Sequence, residues 1–419
     1  MKLTLTALAL LLAGTSAPAL AQYNSVPPPS GTSQPQSSAP ANAPAKSANI
    51  RPSDQAMKAM IELQDAVKAK DPAQIAQKVA AAQKVAKTKE DRYLIGQFQL
   101  QAAVAAKDNV ATAAAVDAIA ATGILEPAKL ADVYSSLGFA FYGEKKYDLA
   151  ASSLEKALAL DPRHVDALKT IGEVRVSQGR KADAVAYFQR AIQALNASGR
   201  KPEENVYKRS LGVAYDASLP VSVDLGRQWV AAYPNAESWH NSVAIYRNMM
   251  KPDIEGTLDL LRLLRATNAL SGSDYSSYAA AAVDQSNFVE AQSVLEQGVT
   301  ANQVNAADAQ IKEAMAALKS KPKPTDADLV AAIKTAQTPT ALLRIGDRYY
   351  GLGEYAKAAD VYRQVLTKPG ADTGMANLHL GMALARAGDK AGATAALNAV
   401  SGPRSEIAKF WLLYLQSRA

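Results

Sequence analysis

From residue 53 onward, apolar positions recur with the period of a helix rather than that of a strand. Ala56, Met60, Leu63 and Val67 share one face, behind Ser53, a residue type that caps helix N-termini. Asp71-Pro72 opens a second helix, because proline is tolerated in a first turn, where an N–H has no partner to lose. Residues 93–106 and 109–122 read as a second pair, stopped by Gly123. No stretch alternates apolar and polar residues as a half-buried strand does. The chain is predicted to be all-α.

Between 131 and 196 the pattern is written twice, with an offset of about 34 residues. Tyr134, Leu137-Gly138, Phe141, Ala150, Leu154, Ala157 and Pro162 form the first copy. Leu168, Ile171-Gly172, Arg175, Ala184, Phe188, Ala191 and Asn196 form the second. The mechanics are simple. Leu137 and Ile171 are core contacts of a first helix, and the glycine beside each has no Cβ, so a second helix can approach closely. Ala150 and Ala157, or Ala184 and Ala191, offer the same closeness from the other side, two turns apart. Asp161-Pro162 ends the second helix, since proline lacks an N–H and restricts its predecessor.

The step continues more weakly through Leu211-Gly212, Tyr215, Trp229, Tyr233 and Trp239, and through Tyr275, Tyr278, Ala291 and Leu295. It strengthens again in Leu342, Ile345-Gly346, Tyr349, Ala358 and Tyr362, then in Leu380-Gly381, Leu384, Ala393 and Leu397. Residues 319–324, with two prolines and three lysines, suit an exposed joint. Residues 326–336 form one helix, and 405–416, with Phe410, Trp411 and Tyr414, close the array.

These copies resemble tetratricopeptide repeats, strongly over 131–198 and 339–403 and less so over 203–304. The resemblance implies an α-solenoid of stacked antiparallel hairpins, roughly nine pairs by this step, that acts as a scaffold for protein–protein interaction. The expected division is 51–127 degenerate hairpins lacking the Leu-Gly pair, 128–320 solenoid, 325–403 C-terminal repeats and 404–419 closing helix. In such proteins first helices line a concave groove. By that likeness Phe139, Tyr142, Lys169, Glu173, Arg209, His240, Arg247, Asp347, Tyr350 and Arg386 face it, a mixture of rings and charges suited to a peptide. Some family members clamp a terminal carboxylate with Lys and Asn. Lys169 fits one position of that clamp, but Glu173 stands where an Asn is expected.

The N-terminus changes the picture of address. Lys2 precedes an apolar run, 3–12, and Ala19-Leu20-Ala21 is a small-x-small cleavage pattern, so 1–21 reads as an export signal. The run is well short of the roughly 20 residues that span a bilayer. Residues 22–50, rich in Pro, Ser and Ala, cannot bury enough apolar surface to offset ordering entropy and read as a disordered linker. With no cysteine, disulfides, thiolate chemistry and a lipidated cleavage site are excluded. The mature chain is therefore expected in the periplasm or secreted, and its partners are expected to be envelope proteins or peptides. The net charge of +7, from 46 basic and 39 acidic residues, is spread out, and nucleic-acid binding is not expected.

Candidate chemistry is sparse. His164, His240 and His379 lie far apart and in no metal-ligand spacing, so neither metal nor cofactor is expected. Residues 351–356 fit G-x-G-x-x-A but join two helices, where the dinucleotide fingerprint needs a preceding strand. Ser153-x-x-Lys156 lacks the companion motifs of serine hydrolases. The expectation is a non-catalytic scaffold in envelope assembly, secretion or polysaccharide export. The alternatives are a structural subunit of an envelope machine, and a cell-wall hydrolase or its activator.

Overall fold

A computed structural model describes residues 50–418. The expected export signal, and the linker up to residue 49, lie outside the described residues. Within them are 21 α-helices, one 3-10 turn and no strand. None of these helices is long and apolar enough to cross a membrane. The chain divides into two compact units between Arg200 and Lys201. The predicted joint at 319–324 is an exposed segment inside the second unit.

The first unit contains four hairpins: α1 (Asp54–Ala69) with α2 (Pro72–Val85), α3 (Lys89–Ala105) with α4 (Asn109–Ala120), α5 (Pro127–Gly143) with α6 (Tyr147–Leu160), and α7 (Val165–Ser177) with α8 (Lys181–Ala197). The caps follow the sequence chemistry. Asp71 accepts from the backbone N–H of Ala73 and Gln74 at 3.0 and 3.2 Å. Ser53 precedes α1 but spends its hydroxyl elsewhere: its N–H and Oγ donate to Asp91 at 2.8 and 2.9 Å. Burial pushes the Asp91 carboxyl up, yet the hydrogen bonds from Ser53 and Thr88 prevail and hold it at about 2.

The second unit contains α9 (Glu204–Asp216) with α10 (Val221–Ala232), α11 (Ala236–Met250) with α12 (Ile254–Ala266), and α13 (Gly272–Asp284) with α14 (Phe288–Thr300). Two single helices follow, α15 (Ala309–Lys319) and α16 (Asp326–Thr335). Then come α17 (Pro339–Gly351) with α18 (Tyr355–Leu366), α19 (Thr373–Ala387) with α20 (Lys390–Asn398), and α21 (Ser405–Ser417). The last helix does more than cover the end of the array. It packs on α19 and also reaches back to α10 and α12. Phe410 meets Tyr246 edge-on, ring centroids 5.7 Å apart, and Arg227 pairs with Glu406.

One contact rule runs through both units. Gly138 faces Leu154, Gly172 Phe188, Gly346 Tyr362 and Gly381 Leu397, each pair joining the two helices of one hairpin. A Cβ on any of these glycines would lie less than 3.0 Å from that side chain. Two glycine positions read differently from expectation. Gly212 is exposed with open space around it, while Ser210 and Leu211 just before it are buried. Conversely, α3 does carry such a pair: a Cβ on Gly96 would lie 2.7 Å from Ile119 Cγ1 of α4. The missed feature is Ile95-Gly96. Arg175 takes the place held by Phe141 in the copy before it, and is buried because its guanidinium pairs with Glu155 and donates to Gln178 at 2.8 Å.

Candidate functional site

In the first unit the expected binding residues sit one turn apart on two first helices that pack on each other, α5 and α7. Phe139 is 53% exposed, the side of α5 that the core does not use. Tyr142 is half-buried, leaning on Tyr147 with ring centroids 6.1 Å apart. Lys169 is half-buried, and its Nζ lies 3.8 Å from the exposed Asp166 carboxylate. Glu173 is engaged by another group, as is Arg209 on α9 of the second unit.

In the second unit several of the expected residues are not on an open face. His240 Nδ1 and Arg247 Nη1 converge on the Asp274 carboxylate at 3.1 and 3.2 Å, tying α11 to the start of α13. Asp347 and Tyr350 are buried, 9% and 6% exposed. The reason is α12. Leu258, Leu260, Leu261, Leu263 and Leu264 are all buried, so apolar residues cover more than one face of that helix, and it lies inside the unit rather than on it.

That helix carries charge inward. Arg262 donates to Glu290 through Nε and Nη2 at 2.9 and 2.8 Å and lies 3.3 Å from Asp259 and 3.6 Å from Asp347. His379 stands between Asp259 and Asp347, its ring nitrogens 3.2 and 3.0 Å from their oxygens. These are close ion pairs whose angles fall outside hydrogen-bond geometry. Tyr362 and Tyr278 donate to Asp347 and Glu290 at 2.7 and 2.8 Å. Burial pushes the imidazole down, but the two carboxylates outweigh it and raise His379 to about 10, so it is a cation at neutral pH. Burial likewise pushes Asp347 up, while His379 and Arg262 hold it at about 2. Two cations thus face three carboxylates, and Arg404 reaches Asp259 at 3.9 Å from the edge.

Above this cluster opens a polar cavity of about 470 Å³, lined among others by Arg262, Arg265, Tyr278, Tyr355, Arg386 and Arg418. Tyr350 and Tyr355 meet edge-on, centroids 5.0 Å apart. They occupy the positions that Tyr142 and Tyr147 hold relative to the hairpin glycine in the first unit. Arg386 lies 5.0 Å from the Tyr355 ring centre and Arg262 4.7 Å from that of Tyr350. Of the expected residues, the structure brings Tyr350 and Arg386 together here. A second cavity of about 350 Å³ lies between Phe288 and the Pro322–Pro324 segment, with Arg348 and Asp328 at its wall.

The catalytic look-alikes resolve into structure. Ser153 is buried in α6, while Lys156 binds Asp117 at 2.7 Å. Gly351-Leu352-Gly353 is the turn between α17 and α18, with Gly353 at φ +81°. His164 caps α7: its Nδ1 accepts from the Ala167 N–H at 3.2 Å, and its Nε2 lies 3.0 Å from Asp132. Among the described residues no group of His, Asp and Glu is arranged to hold a metal ion.

Residues 137–199 and 343–406 match the tetratricopeptide repeat family, one segment in each unit. No curated protein matches the chain. Among solved structures, a tetratricopeptide repeat protein from Parabacteroides merdae is 12% identical over 70% of this chain and 99% of its own, with a TM-score of 0.30. PilF from Pseudomonas aeruginosa is 13% identical over 69% of this chain and 97% of its own, with a TM-score of 0.20. Neither likeness bears on what this chain binds. The two matched segments, each filled by helix hairpins, are tetratricopeptide-like repeats within an all-α chain.

Proposed function

We propose that the chain is a non-catalytic scaffold, exported to the periplasm, that holds an extended segment or helix of another envelope protein. Repeats of this family generally serve protein–protein interaction. The observation that carries the reading is the α5–α7 face inside a matched repeat. There Phe139 stands out in solvent one turn from half-buried Tyr142, and the half-buried Lys169 lies on the neighbouring first helix, offering rings and charge for a partner. The export part rests on the signal-like pattern of residues 1–21. The non-catalytic part is supported by the buried Ser153 and by the turn that occupies the dinucleotide-like motif.

The test is affinity capture from envelope extract with the mature chain, repeated with Tyr142→Ala and Lys169→Glu. The reading expects a captured protein that is lost, or reduced about tenfold or more, in both variants. Capture that survives both removes this face from consideration. Release of soluble fragments from purified peptidoglycan would contradict the non-catalytic part.

A further inference from the structure

Among the described residues, the wall of the cavity above the buried charge cluster carries more arginine than carboxylate. Arg262, Arg265, Arg386 and Arg418 all line it, and Glu290 is the one carboxylate in its wall. Glu290 is fully used. It accepts two bonds from Arg262 at 2.9 and 2.8 Å and one from Tyr278 at 2.8 Å.

Among the described residues the other three arginines have neutral hydrogen-bond partners. Arg265 donates to Gln297 Oε1 and Ser293 Oγ at 2.7 and 2.8 Å. Arg386 donates to the Tyr355 hydroxyl at 3.2 Å, and Arg418 to the Tyr414 hydroxyl at 2.5 Å. A guanidinium carries five donors, so each of the three keeps several to offer. Guanidinium groups that share one cavity repel each other, and in a recess partly shielded from water that repulsion is felt more strongly than on an open surface. An anion seated among them would relieve the repulsion and accept paired bonds from planar forks, the geometry in which arginine holds a carboxylate best.

We propose that this cavity seats the side-chain carboxylates of an acidic segment of a partner protein. Charge complementarity selects the occupant's sign. The walls select its kind: the Tyr355 ring, the Ser293 hydroxyl and the Gln297 amide offer stacking and hydrogen bonds to a peptide beside its carboxylates, beyond what a bare ion needs. The volume falls in the range of sites that hold a few side chains or a small molecule. The site is distinct from the α5–α7 face and lies wholly in the second unit. The proposal rests on the scaffold reading but fails separately from it, because capture through Tyr142 and Lys169 does not pass through these arginines.

The experiment is fluorescence anisotropy of labelled hexaglutamate titrated with the full chain, with hexaglutamine as the uncharged control. Saturable one-to-one binding is expected for hexaglutamate alone, weakened about tenfold by Arg265→Gln and by Arg386→Gln. Lys312→Gln, which removes an equal charge from the exposed side of α15, should leave it unchanged. Thermal melts accompany each variant. If Arg386→Gln melts early, Arg265→Gln carries the test, with Arg265→Lys separating the loss of the planar fork from the loss of charge. No hexaglutamate binding overturns the proposal, as does a loss with Lys312→Gln equal to that of the pocket variants. Binding of inorganic phosphate at the pocket without the peptide also overturns it, by assigning the site to a small anion.

Discussion

A glycine that admits a neighbouring helix and a glycine that merely sits in one look alike in the sequence, and the two behave oppositely on substitution. A Cβ on Gly172 would lie 2.5 Å from the Phe188 ring, and Phe188 is 2% exposed and cannot step aside. Gly172→Ala should destabilise the chain by about 1–3 kcal/mol in urea unfolding, the usual cost of overpacking. Gly212→Ala meets nothing. There the helix gains propensity and the unfolded chain loses freedom, so stability should rise by about 0.5–1 kcal/mol. Loss of stability in both variants would contradict the packing reading. The Leu-Gly signature was legible at Gly138, Gly172, Gly346 and Gly381 because a large residue follows each at the same interval, Leu154, Phe188, Tyr362 and Leu397. At Gly96 the partner is Ile119, further along the chain, so the same contact escapes a fixed-interval search. At Gly212 the dipeptide is present, but Ser210 and Leu211 are the buried residues and the glycine is exposed.

Among the helices, α12 and α21 decide how the second unit is held together. The sequence gives each candidate binding residue an angle around its own helix. It does not say what lies opposite, and for Asp347 and Tyr350 the opposite wall is Arg262 of α12. A signal did exist: the run Leu258-Asp259-Leu260-Leu261-Arg262-Leu263-Leu264 has leucines on too many sides for a surface helix. Helix α15 was also legible and is missing from the predicted elements: Ile311, Ala314, Met315 and Leu318 recur at helical spacing and pack on the core of the unit. The charge cluster makes this unit sensitive to pH in a defined direction. The folded-state value of His379, about 10, lies above its ordinary 6.5. Its contribution is therefore complete below about 6.5 and is lost as pH rises through about 10. Asp347 at about 2 lies below its ordinary 3.8, so its contribution is present above about 3.8 and is lost as pH falls through about 2. Stability of the second unit should be flat from about 4 to 6.5 and decline on the alkaline side. His379→Gln leaves Asp259 and Asp347 short of a cation and should cost about 3–5 kcal/mol while flattening the alkaline decline. An unchanged alkaline limb in denaturant melts at several pH values would remove His379 from this role. Trp411→Ala on α21, where the indole is fully buried, should cost about 3–5 kcal/mol by opening a cavity.

The whole molecule is two helical units, each with a matched repeat segment, and each offers a different kind of surface. In the first, an exposed phenylalanine and a half-buried tyrosine lie on one first helix and a half-buried lysine on the next. In the second, the inner side chains pair with each other or are buried, and one of its recesses is lined with arginine. The central claim is that the α5–α7 face grips another protein. Its most direct test is a photo-crosslinking residue placed at Phe139 in the native cell, compared with the same residue at Val110, equally exposed on α4. The account predicts a discrete protein adduct from position 139 that disappears on adding Tyr142→Ala and Lys169→Glu, and no such adduct from position 110. The same adduct from both positions, or none from 139, would contradict it.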